Sequence, residues 1–374
     1  MKICLITEHF PPHIGGVEIV FEEYAKNLSK RGFEVRVITS NSGGISGKIT
    51  RDGFEVHHLP CRALFSHPLF SPSQLEEHVR WADVVHTTTY TAAPPALKAC
   101  KKHSKPCVLM VHEVLGYKWF KIEKNPLLAL GFLLFEFYVL KKDYDIWQTI
   151  SNATQKDLLK YGIPENKTRL VYHGIDYSVW NPDVKEKNLN GLLGLRDSDK
   201  IFLYNGRPGK TKGIFVLLDA IDKIKDDLPK EFKFGFIISK KPEGEREKFE
   251  KMVRKYRLES SIKITDSLPY QELPGYRKNS FAFIVPSLTE GFGFNTAETA
   301  ALDVPLIVSD AGSLPEVASG KVLFFKNGDS DDLAEKILRA SRSEFGNIPA
   351  KKFEWDESID KIVAIYEILL QKHD

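Results

Sequence analysis

The sequence predicts an α/β protein of two domains, each with a largely parallel sheet. At 374 residues the chain is longer than the roughly 100–200 residues of a usual domain. Short β-rich runs alternate with helix-length segments from end to end, the pattern of strands joined by crossover helices. One polar stretch interrupts the alternation, Asn181 to Lys200 (NPDVKEKNLNGLLGLRDSDK). Its Pro, Asn, Gly and charge place an interdomain linker at 181–199.

The first domain, 1–180, carries candidate strands KICLI at 2–6, EVRVI at 34–38, FEVHHL at 54–59, DVVHT at 83–87, CVLMV at 107–111, IWQTI at 146–150 and RLVYH at 169–173. The second, 200–355, carries IFLYN at 201–205, FGFII at 234–238, IKI at 262–264, FAFIV at 281–285, PLIVS at 305–309 and VLFF at 322–325. Helical segments fit between them. In the tail at 356–374, Ile359, Ile362, Val363, Tyr366 and Leu369 or Leu370 recur near helical spacing, which predicts a docked C-terminal helix.

Hydrophobic residues are 42% of the chain, with 24 Phe and 13 Tyr, enough to build buried cores and to exclude a disordered or fibrous protein. A net charge of +3 gives no electrostatic footprint of nucleic-acid size. Cys4, Cys61, Cys100 and Cys107 form no C-x-x-C pair and lie in or beside apolar runs, as reduced structural cysteines do. The apolar run after Met1 is too short for a signal-peptide core and reads as a first strand, so a cytoplasmic location is expected.

Pro126 to Leu140 (PLLALGFLLFEFYVL) is apolar on every helical face except at Glu136. At about 1.5 Å per residue it reaches about 22 Å, short of the roughly 30 Å hydrocarbon core. Two readings remain open. One is a helix buried against a sheet, which is preferred; the other is a surface that dips into a membrane, with Lys118, Lys121, Lys124, Lys141 and Lys142 at the headgroups and Trp119 and Phe120 beside them.

Ligands of open parallel sheets bind beyond the carboxyl ends of strands, so the loops there are the places to look for chemistry. The first, Pro11 to Glu18, sets Gly15 and Gly16 before a helix, where a missing Cβ permits close backbone approach. It also fits a plain tight turn, and no G-x-G-x-x-G is present. The second, Gly206 to Gly213 (GRPGKTKG), lacks the early glycine of a P-loop, since position 204 is Tyr. Arg207 and Lys212 there either converge with a helix N-terminus on a diphosphate or are solvated cations on a turn. The third, Pro286 to Glu298 (PSLTEGFGFNTAE), combines Gly291 and Gly293, an expected cap at Asn295 or Thr296, and the carboxylates Glu290 and Glu298. Glu298 is expected in the first helical turn. Carboxylates beside a phosphate site are acceptors for sugar or ribose hydroxyls; the plainer alternative is a dipole-complementing Glu298 and a solvated Glu290.

Taken together, GGVE at 15–18, a strand ending in His112, S-x-A-T-x-x-D-L at 151–158, YGIPENKTRLVYHGID at 161–176, GRPGKTKG, PSLTEGFGFNTAE and GSLPEV at 312–317 resemble the retaining glycosyltransferases of family 4 along essentially the whole chain. Glu290 and Glu298 match that family's E-x7-E pair. The resemblance implies the GT-B fold, two Rossmann-like domains facing across a cleft, with the C-terminal helix returning to the first. It implies that Arg207 and Lys212 stabilise a departing nucleotide diphosphate, Glu290 contacts the donor sugar and Glu298 the ribose. Phe292, Gly293 and Phe294, with Asn295 beside them, would touch the sugar or its phosphate. Gly15 and Gly16 would approach the diphosphate, and His112 would lie over the donor sugar.

The implied reaction moves a hexosyl group from a UDP- or GDP-sugar to a hydroxyl of a glycan, a lipid-linked molecule or a small metabolite, with retention and without a covalent protein nucleophile. No cofactor or metal is expected: Asp143-Tyr144-Asp145 matches D-x-D but reads as solvated polar residues far from the signature loops, and no His/Cys cluster has ligand spacing. Competing readings are a GT-B nucleotide-sugar epimerase and a non-catalytic nucleotide- or sugar-binding protein. The sequence departs from the family's pattern at His173, Thr299 and Thr265–Leu268.

Overall fold

The opening strand shows why the sheets are parallel: Ile3, Cys4, Leu5 and Ile6 are all fully buried, so both faces of this strand are covered, as crossover helices require. The computed structural model describes residues 1–13, 15–41, 44–64, 67–241 and 244–373; Ile14 of the first loop and Asp374 at the end of the expected tail helix lie outside them. The chain divides into two compact units, Met1–Gly174 with Phe353–Asp374, and Ile175–Lys352.

The first unit runs β1 (Lys2–Ile6), α1 (Gly16–Lys30), β2 (Glu34–Ser40), β3 (Gly47–Arg51), β4 (Phe54–Leu59), β5 (Arg62–Leu64), β6 (His67–Leu69), α2 (Pro72–Trp81), β7 (Val84–Thr88), α3 (Ala93–Lys102), β8 (Cys107–Val111), α4 (Trp119–Ile122), α5 (Pro126–Leu140), β9 (Ile146–Thr149), α6 (Asn152–Lys160) and β10 (Thr168–Leu170). Its main sheet has the order β10-β9-β8-β7-β1-β2-β4-β3, parallel except for the β3–β4 pair. The exposed strand β3, and the separate hairpin β5–β6, were not expected from the sequence because neither has an apolar run to mark it.

The second unit runs α7 (Leu189–Leu193), β11 (Lys200–Gly206), α8 (Ile214–Ile224), β12 (Phe232–Ile238), α9 (Glu245–Lys255), β13 (Ile262–Asp266), α10 (Leu273–Lys278), β14 (Ala282–Val285), α11 (Phe294–Ala301), β15 (Leu306–Ser309), α12 (Leu314–Val317), β16 (Gly320–Phe325), α13 (Ser330–Ser341) and β17 (Gly346–Ile348). The sheet order is β13-β12-β11-β14-β15-β16-β17, with only β17 antiparallel. Its core packs α8 and α13 on stacked rings of Phe202, Phe232 and Phe234.

The chain then returns to the first unit as α14 (Trp355–His373). Ile359, Ile362, Tyr366 and Leu369 are buried, and the Tyr366 hydroxyl lies 2.7 Å from His86 Nδ1 in the first sheet.

Three sequence expectations change. Residues 181–199 are not a free linker: the chain passes between units at Gly174–Ile175, and the stretch is folded into the second. The Asn188 side chain caps α7 by accepting from the Gly191 amide, the Lys187 amide donates to the Gly275 carbonyl, and Asn190 donates to the Arg196 and Asp199 carbonyls. Pro, Asn and Gly mark turns whether or not a turn joins domains.

Asp143-Tyr144-Asp145 is not uniformly solvated. Tyr144 is fully buried edge-on to Trp147, and an Asp145 carboxylate oxygen accepts from the Cys107 amide at 2.8 Å. Lastly, α5 is not a buried helix. Only Ala129, Val139 and Leu140 are buried along it, whereas Leu127 is 77% and Leu134 60% exposed. No helix among the described residues is long and apolar enough to cross a membrane.

Candidate active site

Strand order reverses between β11 and β14, and there the second unit gathers its charged loops. Such a switch point opens a crevice at the carboxyl ends of the strands. The β11–α8 loop brings Arg207, exposed, and Lys212, half-buried; the β14–α11 loop brings Glu290. Lys212 Nζ donates to both Glu290 carboxylate oxygens, at 2.8 and 3.1 Å. The two loops are locked together by the Leu288 amide donating to the Thr211 carbonyl at 2.8 Å.

Gly213 makes that contact possible. Its φ is +65°, and a Cβ there would stand 1.7 Å from the Pro286 carbonyl oxygen, so any side chain would force the loops apart. The Glu290 backbone is held from below by the Ser313 amide and hydroxyl, which both donate to its carbonyl. The Ser313 hydroxyl also lies 2.7 Å from the Phe292 carbonyl oxygen.

The start of α11 differs from expectation. Neither Asn295 nor Thr296 caps it. Gly293, at φ +96°, occupies the cap position and no side chain accepts there. Asn295 instead donates to the Asn205 carbonyl at 2.9 Å, and Thr296 is fully buried. Glu298 consequently falls beyond the first turn of α11 and is buried.

One Glu298 oxygen accepts from Arg277 Nη1 at 3.2 Å and the other from the Tyr270 hydroxyl at 3.0 Å. Arg277, 1% exposed, also donates to Asn205, Asn295 and Thr299 side chains and sits over the Trp180 and Phe283 rings at 4.5 and 4.4 Å. Burial pushes the Glu298 carboxyl up from its ordinary value, with the Arg277 charge pulling against it. Sequence reading missed Arg277, Tyr270 and Asn205: a lone arginine on a short helix carries no signal of the carboxylate it meets in the fold. Thr299, the departure from the family's pattern, has its reason here as an acceptor for Arg277.

The first unit has its own switch point, between β1 and β7. Gly16 opens α1, and Gly15 precedes it in an extended conformation. Beside them is a carboxylate of the loop's own: Glu18, buried, lies 2.7 Å from His13 Nδ1, and a Cβ on Gly15 would meet its Oε2 at 2.2 Å. Glu8, at the end of β1, is buried and accepts from the Ala92 amide at 2.7 Å and the Thr91 hydroxyl at 3.3 Å. Burial pushes its carboxyl up to about 7. His112, just after β8, has Nε2 2.7 Å from the Thr88 hydroxyl, and burial holds its imidazole down at about 4, so the ring is neutral at pH 7. His173 lies 6.3 Å from it, ring to ring, and is likewise held low by burial.

The structure thus brings Arg207, Lys212, Glu290 and Phe292 to Asn295 onto adjacent loops of the second unit, and Gly15, Gly16 and His112 onto the carboxyl edge of the first. Among the described residues no group of His, Cys, Asp or Glu could hold a metal ion.

Two Rossmann-like units with such a pair of loops at the second switch point define a GT-B glycosyltransferase. Residues 14–179 match the family model described as Glycosyltransferase Family 4, and residues 186–354 that of Glycosyl transferases group 1. Along 98% of this chain and 96% of the relative, the sequence is 24% identical to a D-inositol 3-phosphate glycosyltransferase of Xylanimonas cellulosilytica. In fold it is similar to a sucrose-phosphate synthase from Thermosynechococcus elongatus, with a TM-score of 0.80 at 19% identity over 99% of both chains. It is also similar to Anabaena HepE, solved in complex with UDP and glucose, with a TM-score of 0.75 at 16% identity over 98% of this chain and 99% of that one. The chain belongs to glycosyltransferase family 4.

Proposed function

We propose that this protein transfers a hexosyl group from a UDP- or GDP-sugar to an acceptor hydroxyl, with retention at the anomeric carbon. The carrying observation is the Lys212–Glu290 pair, fixed between two locked loops at the switch point and flanked by Arg207. The bond that breaks joins the anomeric carbon to a diphosphate oxygen, and negative charge grows on that oxygen. Arg207, Lys212 and the N-terminus of α8 are the positive groups placed to stabilise it, and such preorganised electrostatics usually supply the largest part of catalysis. Glu290, held by Lys212, accepts from donor-sugar hydroxyls, and the N-terminus of α11 at Phe292 to Asn295 attracts the phosphate.

In this reading the two cations neutralise the diphosphate without a metal ion. The leaving phosphate oxygen takes the acceptor's proton on the same face of the sugar, and neutral His112 offers the sugar a hydrogen bond rather than a charge. Glu298, tied to Arg277 and to the Tyr270 hydroxyl, positions α11 and is the carboxylate assigned to the donor's ribose. The UDP complex of HepE supports UDP as the first nucleotide to test. We place the protein at the cytoplasmic face of a membrane, with α5 as the contact; its exposed leucines and neighbouring lysines support this.

Thermal unfolding with UDP, GDP and ADP, with and without Mg2+, tests the donor site. Ligand at a hundred times its Kd adds about 2.7 kcal/mol. One nucleotide should stabilise the protein without metal, and Arg207→Ala should abolish the effect. Product NMR then decides the reaction: a glycoside of the donor's anomeric configuration supports it, whereas an epimerised sugar or intact donor overturns it.

A further inference from the structure

Beneath α5 the first unit has a partly open cavity of about 250 Å³. Its apolar wall is the inner side of α5, through Phe132, Phe135, Val139 and Leu140. Its other end reaches the loops after β7 and β8, at Tyr90 and Glu113, next to the strand ends that carry Glu8 and His112. Empty apolar volume costs stability, and dry cavities of about 150 Å³ already take an apolar guest such as benzene. Its lining is mainly apolar, with Glu136 on the α5 side and Thr89, Tyr90, Thr91 and Glu113 on the loop side, a mixture that suits an amphiphile.

The roof is held in place. Glu136, the single charged residue of α5, accepts from the Leu115 and Gly116 amides at 2.9 and 3.2 Å and from Trp119 Nε1 at 2.5 Å. These bonds tie the 115–119 segment to α5 at the cavity wall, while Val139 and Leu140 pack with the strand residues Cys107 and Leu109. At the polar end, Tyr90 has φ +92°, a conformation costly for a side chain other than glycine and typical of functional sites.

The outer side of the same helix supplies an independent observation. Leu127, Leu130, Leu134 and Phe137 are exposed, Lys118, Lys121 and Lys124 stand before it and Lys141 and Lys142 after it. Lys142 Nζ lies 3.9 Å over the Tyr138 ring. Apolar residues between basic ends match an anionic bilayer surface, where basic side chains meet headgroups and apolar ones enter the acyl region.

We propose that the cavity is a subsite for the hydrocarbon chain of a membrane-lipid acceptor, with α5 lying on an anionic bilayer and the hydroxyl-bearing head of the lipid at Tyr90 and Glu113. This rests on the transferase reading and names the acceptor class that the reading leaves open. One helix then serves two purposes, its outer side holding the protein to the leaflet while its inner side receives a chain drawn from it.

The test uses the full chain with vesicles of phosphatidylcholine and phosphatidylglycerol, the phosphatidylglycerol brominated on its acyl chains. Leu134→Glu breaks the outer side, and Val139→Phe fills the cavity. Wild-type protein should float with anionic but not neutral vesicles, with its tryptophan emission quenched by the fraction that Trp119, the tryptophan lining the cavity, contributes among the five in the chain. Leu134→Glu should lose flotation at least tenfold while keeping the nucleotide-dependent stabilisation. Val139→Phe should float like wild type yet lose most of the quenching. Should Val139→Phe not fold, an eight-carbon alkyl glycoside below its micellar concentration takes its place: it should raise the wild-type melting temperature saturably without vesicles. Absence of anionic flotation, wild-type quenching in Val139→Phe, or no response to the alkyl chain each overturns the proposal. Loss of nucleotide stabilisation in the wild-type protein instead marks failure of the transferase reading, because flotation and quenching do not depend on the donor.

Discussion

The two switch points solve different problems with the same strand topology. In the second unit, glycines and backbone bonds lock two loops so that Arg207, Lys212 and Glu290 hold charge in one geometry. In the first unit the strand ends carry titratable groups that burial keeps from charging: His112 is neutral, Glu8 is pushed up, and an apolar cavity lies beside them. A parallel sheet therefore fixes where a site is, while the loops decide whether charged or uncharged groups line it.

The comparison is broken hardest within the second unit, where the Arg277–Glu298 and Lys212–Glu290 ion pairs are of different kinds. Arg277→Ala should cost about 3–5 kcal/mol in a urea titration, because it strands a buried carboxylate. Glu290→Gln, removing a partly exposed partner of Lys212, should cost about 1 kcal/mol or less. Kinetics should reverse the ranking of importance. Arg207→Ala should lower kcat about 10²–10³-fold, the usual result of removing one stabiliser of developing charge, with stability within about 0.5 kcal/mol of wild type.

Gly213→Ala should lose both properties together. It forces a left-handed backbone on alanine and a Cβ into the Pro286 carbonyl, which separates the loops that carry Lys212 and Glu290. A cost of about 1–3 kcal/mol is expected from the strain at such positions, measured by thermal unfolding alongside UDP binding.

A pH series sharpens the contrast between units with the smallest effect. No histidine occurs between residues 175 and 352; those held low, His78 and His112 at about 4, His86 at about 3, and His58 and His173 as well, are all in the first. As pH falls below about 6.5, the unfolded chain takes up protons that the folded one refuses, so stability falls toward pH 4. Buried His86 contributes up to about 1.4 kcal/mol per pH unit in that window. Glu8 acts oppositely. Its folded value of about 7 lies above the unfolded one, so its contribution is full below about pH 4.5 and lost as pH rises through 7. The histidines outnumber it, and hydrogen exchange at pH 5 should show the first unit opening before the second. Equal loss in both units would contradict this assignment.

The sequence made the loops legible because their signals are local: glycines, cations and carboxylates cluster within a few positions after a strand. Arg277 was not legible, since its partners Glu298, Asn205 and Tyr270 meet it only in the folded unit. The apolarity of α5 was plain, but an all-round apolar helix carries no moment to say which side is covered, and the preference for burial was misplaced. Strand β3 and the β5–β6 hairpin lacked periodicity to read, and turn residues at 181–199 looked like a linker although they cap and close turns within the second unit.

The return of α14 has a consequence for synthesis. His86 meets Tyr366 across 280 positions of sequence, so the unit that leaves the ribosome first cannot be finished until α14 has been made. The second unit, continuous in sequence, has every strand it needs before that. On a chain emerging at about 5–20 residues per second, the older half waits with Tyr24, His86 and their neighbours uncovered while the younger half closes. A chain released at Lys352 would therefore carry the whole second unit and a first unit whose His86 lacks Tyr366.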